Sequence, residues 1–314
     1  MWTCSAISKF RRVRRHGDDV VVALPGCGAA IFDGVTSSSS LSLDTKSSGR
    51  QAALAAANAL TEHWAINRAC GSDELVDAIQ SAVRKTVLAS GCAKNGATTG
   101  AIVQELEETF RLVIVGDTSV RVNGGEIYGQ PMKVDEISIG ARVKLWEELA
   151  AQAGITDANE LTVRRIMSAG LSDSIARGVI DRRVQAVVLD HAINNSPNDI
   201  DSDLIVSFLN MGLRSQSQFA NVPTHPLGYP VFDGSAKFPS AMVVELDRVE
   251  VETIEIFSDG YQRPPDGTTF EDWEDGFHAI EMADPYRTGE FAAVKGTTSD
   301  FWFDDRSIAL WSRD

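Results

Sequence analysis

Short apolar runs that stop at an aspartate are the feature that most restricts what this chain can become. Ala29-Ala30-Ile31-Phe32 ends in Asp33-Gly34, Leu112–Val115 ends in Gly116-Asp117, and Thr253–Phe257 ends in Ser258-Asp259-Gly260. Two further runs are opened by acidic pairs: Val20–Leu24 by Asp18-Asp19, and Ser307–Trp311 by Asp304-Asp305. The runs have the length and character of buried strands, and Asp-Gly is the chemistry of a sharp turn leaving one. If these five ends meet, several carboxylates share a small volume, and like charges so packed need cations to stay ionised. An all-oxygen ligand set of that kind suits Mg2+ or Mn2+.

The formal charge of −15 over 314 residues argues against a general nucleic-acid binder, because a phosphate backbone requires a basic face. No apolar run approaches the ~20 residues that span a bilayer, so no membrane segment is expected. Arg11, Arg12, Arg14 and Arg15 follow Met1 closely, without the apolar core of a secretion signal. Cys4, Cys27, Cys70 and Cys92 are scattered, with no Cys-x-x-Cys pair. That fits free thiols in a reducing cytoplasm better than zinc or a disulfide framework.

Along the chain, residues 1–34 read as two strands, Val20–Leu24 and Ala29–Phe32, apolar enough to be buried on both faces. The serine run 37–40 reads as a loop, since no His/Asp pair accompanies it to make a nucleophile. An alanine-rich helix over 49–67 and a second over 72–88 follow, the latter with Asp73 and Glu74 at its positive end. Strands are expected over 96–103, 110–115 and 119–122, with Asn123-Gly124-Gly125 as a hairpin turn into Glu126-Ile127-Tyr128. From 134 to about 189 the pattern turns helical, with helices over 141–153 and 161–169 capped at Gly170, and a further helix follows over 204–211. Strands return at 241–246, 252–257 and 307–311, with an acidic helical segment over 270–290. Strands at both ends with helices grouped between them point to an α+β domain.

In order along the chain stand Arg14 with Asp18-Asp19, Phe32-Asp33-Gly34, Gly96-Ala97-Thr98, Gly116-Asp117-Thr118, Ser258-Asp259-Gly260 and Asp304-Asp305-Arg306-Ser307. Thr224-His225-Pro226-Leu227-Gly228 lies between the fourth and fifth. Each is common alone; the ordered set resembles the metal-dependent serine/threonine protein phosphatases of type 2C. The resemblance implies two antiparallel sheets packed face to face, with helices on both outer sides and a metal site at one end. It implies a single domain over 1–314, with 131–221 as a helical flap insertion. It further implies that Asp33 bridges two ions, Mg2+ or Mn2+. The Gly34 carbonyl and Asp18 would complete one ion, and Asp259 and Asp304 would hold the other. Asp117 matches a position that helps bind a third ion in some members. Arg14 would grip the substrate phosphate, with Arg15 as the alternative, and Asp19 would order metal-bound water. The implied reaction is hydrolysis of phosphoserine or phosphothreonine on a phosphorylated protein by a metal-bridging hydroxide.

The chain departs from that pattern in two places. Asp33-Gly34 is followed by Val35-Thr36-Ser37, where the family has x-Gly-Gly and often a histidine taken as general acid. Asp18-Asp19 stands where Glu-Asp is usual, so the shorter Asp18 could reach its ion through water. Two other functions therefore stay open: a phosphatase of a small phosphorylated molecule, and a degenerate domain that binds a partner without turnover. Of the histidines, His225 is a candidate for the rim of the site, and His16, His63, His191 and His278 read as structural or surface residues.

Overall fold

A computed structural model describes residues 1–35, 47–89 and 96–313. The serine run 37–40 and Cys92 lie outside the described residues. In chain order the first elements are β1 (Trp2–Ile7), β2 (Val20–Leu24), β3 (Gly28–Gly34), α1 (Ser48–Ile66) and α2 (Ser72–Ala89). Then come β4 (Thr98–Glu105), β5 (Thr109–Val115), β6 (Ser119–Val122) and β7 (Glu126–Tyr128). A helical stretch follows: α3 (Lys133–Ala153), α4 (Asp157–Ala169), α5 (Leu171–Ala176), α6 (Arg182–Asn195) and α7 (Ser202–Met211). The chain ends with β8 (Met242–Asp247), β9 (Thr253–Phe257), α8 (Phe270–Ala283) and β10 (Arg306–Ser312).

The chain divides into two compact units, one of residues 1–131, 229–278 and 304–314, the other of 132–228 and 279–303. In the first, two antiparallel five-stranded sheets run in the orders β1-β10-β9-β6-β7 and β2-β3-β4-β5-β8. Alternation along the central strands sorts their side chains. Ala29, Ile31, Ala101, Val103, Leu112 and Ile114 of one sheet meet Val120, Ile254, Ile256 and Ala309 of the other in a common core. The opposite faces of β3–β5, carrying Phe32, Ile102 and Val113, pack with α1 and α2. Ala52, Ala53, Ala56 and Ala57 are buried on α1, because small side chains let a helix lie close on a sheet. The outer face of the other sheet is covered by the first half of α8, whose Trp273 packs on Phe257 at 4.8 Å between ring centroids. There Arg121 and Glu255 form a buried ion pair, and the guanidinium lies 5.1 Å from the Trp273 ring. The fold is α+β, two antiparallel sheets flanked by helices.

Three local expectations change. Trp2–Ile7 forms a strand, β1, that the sequence pattern did not announce; it lies at a sheet edge and pairs with β10 alone. Val20–Leu24 is an edge strand, half-exposed rather than buried on both faces. Helix α3 begins at Lys133, eight residues before the expected start at 141. The hairpin at 123–125 forms as expected, with Asn123 and Gly124 both at positive φ, 52° and 64°.

In the second unit, Arg142 on α3 is fully buried and pairs with Glu160 on α4. It also donates to the carbonyls of Tyr286 at 2.7 Å, Arg287 at 2.8 Å and Ala293 at 3.1 Å. One guanidinium thereby ties 284–293 to the helices of 132–228. Among the described residues no helix is long and apolar enough to cross a membrane.

Candidate metal centre

Register brings the acidic strand ends to one place. Val20 pairs with Phe32, so Asp18-Asp19 before β2 stand level with Asp33-Gly34 at the end of β3. Asp33 pairs with Thr99, and Val115 with Gly100, which sets Asp117 beside β4. In the other sheet Ile308 pairs with Phe257, so Asp259 after β9 stands level with Asp304-Asp305 before β10. A hydrogen bond joins the two sets: Ser258 Oγ donates to Asp19 Oδ2 at 2.8 Å.

The motif residues around the carboxylates act as holders. Thr98 Oγ1 donates to the Asp33 carbonyl at 2.6 Å, and Thr99 Oγ1 to Asp117 Oδ1 at 2.8 Å. Ser47, the N-cap of α1, accepts from Arg50 N and donates its hydroxyl to Asp18. The positive end of α1 thus faces a carboxylate, the favourable sense of the helix dipole. Gly34 and Gly49 permit this approach: a Cβ on Gly49 would stand 2.9 Å from the Gly34 carbonyl oxygen. Asp305, buried at 2 % exposure, binds the loop that carries Asp18. It accepts from Lys9 N at 2.7 Å and from Asp18 N at 2.9 Å.

The electrostatics follow from crowding. Burial, and then the charges of Asp19, Asp259, Asp304 and Asp117, push the Asp33 carboxyl well above its usual range. Burial together with Asp305 and Asp304 pushes Asp19 up to about 7, against the opposing pull of the Ser258 hydrogen bond. Asp19, Asp33, Asp117, Asp259 and Asp304 thus lie within electrostatic reach of one another, and Asp18 joins them through a shared cation. A cation stands among them. The Lys9 ammonium lies 2.9 Å from Asp305 Oδ2, 3.1 Å from Asp18 Oδ2 and 3.6 Å from Asp304 Oδ1. Burial works to lower its pKa, but the three carboxylates outweigh that and hold it well above the ordinary lysine value.

The donor set fits hard divalent cations, being carboxylates with the Gly34 carbonyl beside them. The buried Asp19 Oδ1 accepts no hydrogen bond from the described residues, an oxygen that a cation would satisfy. The present spacing is that of an ammonium cluster: among the described residues no three acidic, His or Cys side chains are set to chelate an ion directly.

Arg14 lies on the loop between β1 and β2, exposed, with no hydrogen bond or ion pair to the described residues. Arg15 on the same loop is half-buried, its guanidinium 4.8 Å from the Phe10 ring centroid. His225 belongs to the second unit, where it stacks on Phe219 at 4.6 Å and accepts from Leu227 N through Nδ1. The sequence pattern gave no role to Lys9 or Ser47, and it carried Asp305 and Ser258 only as motif members without the bonds they make. Lys9 lies two residues beyond the unannounced β1, and the other three bind backbone or side chains far away in sequence.

No family model matches this sequence, and no curated protein matches it. Over nearly its whole length the chain is similar to solved serine/threonine phosphatases. The Mycobacterium tuberculosis phosphatase PstP is 16% identical, with 98% of this chain and 97% of that one covered and a TM-score of 0.47. Stp1 of Staphylococcus aureus is 12% identical, with 100% and 96% covered and a TM-score of 0.46. The catalytic domain of PstP in complex with two manganese ions is 15% identical, with 100% and 99% covered and a TM-score of 0.45.

Proposed function

We propose that this chain is a phosphatase dependent on Mg2+ or Mn2+, acting in the cytoplasm on phosphoserine or phosphothreonine of proteins. The observation that carries the reading is the meeting, across two sheets, of Asp19, Asp117, Asp259 and Asp304 with Asp33, Asp18 being joined to Asp304 through Lys9, while the buried Asp19 Oδ1 accepts no hydrogen bond from the described residues. The order of the motifs supplying those residues, which resembles that of type 2C phosphatases, supports it.

Asp33, Asp259 and Asp304 would hold one ion, and Asp33, Asp18 and the Gly34 carbonyl a second, with Asp117 beside them. Bound there, divalent ions supply Lewis acidity toward phosphoryl oxygens and an activated water. The protein's own work is placement. Thr99 fixes Asp117, Thr98 fixes the turn at Asp33, and Ser258 and Asp305 hold Asp19 and the Asp18 loop. Arg14 offers a planar guanidinium whose fork matches two phosphate oxygens. With Val35 after Gly34 and no histidine in that turn, the proton for the leaving alkoxide would come from water or from a different side chain.

A second reading has one observation in its favour: Lys9 partly neutralises the cluster. In that reading the domain binds a partner without turnover. Assay of a phosphopeptide and a small aryl phosphate with Mn2+, with chelator, and with Asp259→Asn separates these. Peptide hydrolysis lost on chelation and in Asp259→Asn supports the proposal. Hydrolysis of the aryl phosphate alone points to a small substrate, and an inactive protein that still binds Mn2+ to the binding module.

A further inference from the structure

Lys9 is out of place for a surface lysine. Its side chain is 12 % exposed, and its ammonium faces three carboxylates from distant parts of the chain: Asp18, Asp304 and Asp305. Its backbone is held too, since Lys9 N donates to Asp305 Oδ1 at 2.7 Å while Asp305 Oδ2 lies 2.9 Å from Nζ. The same carboxylate grips both ends of the residue, so the ammonium is delivered to the cluster by construction. Burying an ammonium is costly unless the charge is matched, and here it is matched more than once.

Two of the three partners have another claim on them. In the metal reading Asp18 serves one ion and Asp304 the other, and both face Lys9. A divalent cation bonded to either carboxylate at ~2.1 Å would come close to a fixed positive charge. We infer that the Lys9 ammonium is a resident cation of this cluster, holding Asp18 and Asp304 in place of a divalent ion. A metal ion that uses either residue binds only by displacing the lysine from it. The inference rests on the proposed metal reading, and it makes Lys9 the residue that sets how many ions bind and how tightly.

The test is Mn2+ binding itself, measured by titration calorimetry and by the spin-resonance signal of free Mn2+. It compares the full chain with Lys9→Met, which keeps length without charge, and Lys9→Arg, which keeps charge. Lys9→Met is expected to bind Mn2+ at least tenfold more tightly than the wild type and to take up one more ion at saturation. Lys9→Arg is expected to stay within about twofold of the wild type. Wild type and Lys9→Met binding the same number of ions with equal affinity would overturn the inference while leaving the metal reading intact. Lys9→Arg rising with Lys9→Met would overturn it as well, since bulk rather than charge would then be responsible. If no form binds Mn2+, both fall. Without metal, Lys9→Met should melt below the wild type and recover on adding Mn2+. A lowered melting temperature that Mn2+ does not restore counts against the inference.

Discussion

Replacing Asp19 with asparagine should stabilise the metal-free protein, and more so as the pH rises. In the fold Asp19 is buried, with one oxygen held by Ser258 and the other without a hydrogen bond to the described residues. Burial and the charges of Asp305 and Asp304 move its carboxyl from the ordinary 3.8 to about 7. Within that window the folded chain keeps a proton that the unfolded chain has lost, so this group's contribution to stability falls as pH rises. Each pH unit costs about 1.4 kcal/mol, which makes the full loss of order 4 kcal/mol, with ~2–3 kcal/mol of it between pH 5 and 7.5. An asparagine amide in that place cannot ionise and escapes the loss. For a unit of this size, ~2–3 kcal/mol corresponds to roughly 5–10 °C in melting temperature. Thermal melts in EDTA should show Asp19→Asn gaining that much more over the wild type at pH 7.5 than at pH 5. Saturating Mn2+ should erase the gain, because bound cations hold the carboxylate ionised. An equal gain at both pH values, or none, would refute the claim that crowded carboxylates strain this end of the fold.

Two further outcomes follow from the same geometry. Gly49→Ala would ordinarily favour a helix by ~1 kcal/mol. Here the new Cβ would lie 2.8 Å from Gly34 C and closer still to the Val35 carbonyl, so α1 must retreat from the metal turn. Chemical denaturation should register a net loss of ~1–3 kcal/mol, together with weaker Mn2+ binding. Arg14→Ala should raise KM for a phosphopeptide by more than tenfold. Arg15→Ala should change it little, because that guanidinium already packs on Phe10.

The acidic ends of the strands were legible because turn chemistry and apolar runs are local signals, and five of them had to be gathered somewhere. The α+β class was legible from strands at both ends of the chain with helices grouped between them, whereas the two-sheet sandwich was legible only through the resemblance of the ordered motifs. Strands β3, β4 and β5 do carry apolar residues for both neighbouring layers. What local pattern could not give was partnership. Trp2–Ile7 mixes Thr, Cys, Ser and Ala and becomes a strand through its pairing with β10, so Lys9 just beyond it carried no meaning in the sequence. The valines of β2 express strand preference rather than burial, and the strand lies at a sheet edge. The exact start of α3 was hard to place because Ser138 and Arg142 interrupt its apolar face, and Arg142 is buried because Glu160 and carbonyls at 286–293 receive it.

On this reading the strand ends hold divalent cations. Anomalous scattering from crystals grown with Mn2+ tests it most directly. At least one manganese peak bonded to Asp33 and Asp259 is expected, with Asp19 Oδ1 turned toward the ion or its water. Crystals saturated with Mn2+ that hold no peak within reach of Asp33, Asp259 and Asp304 would contradict it.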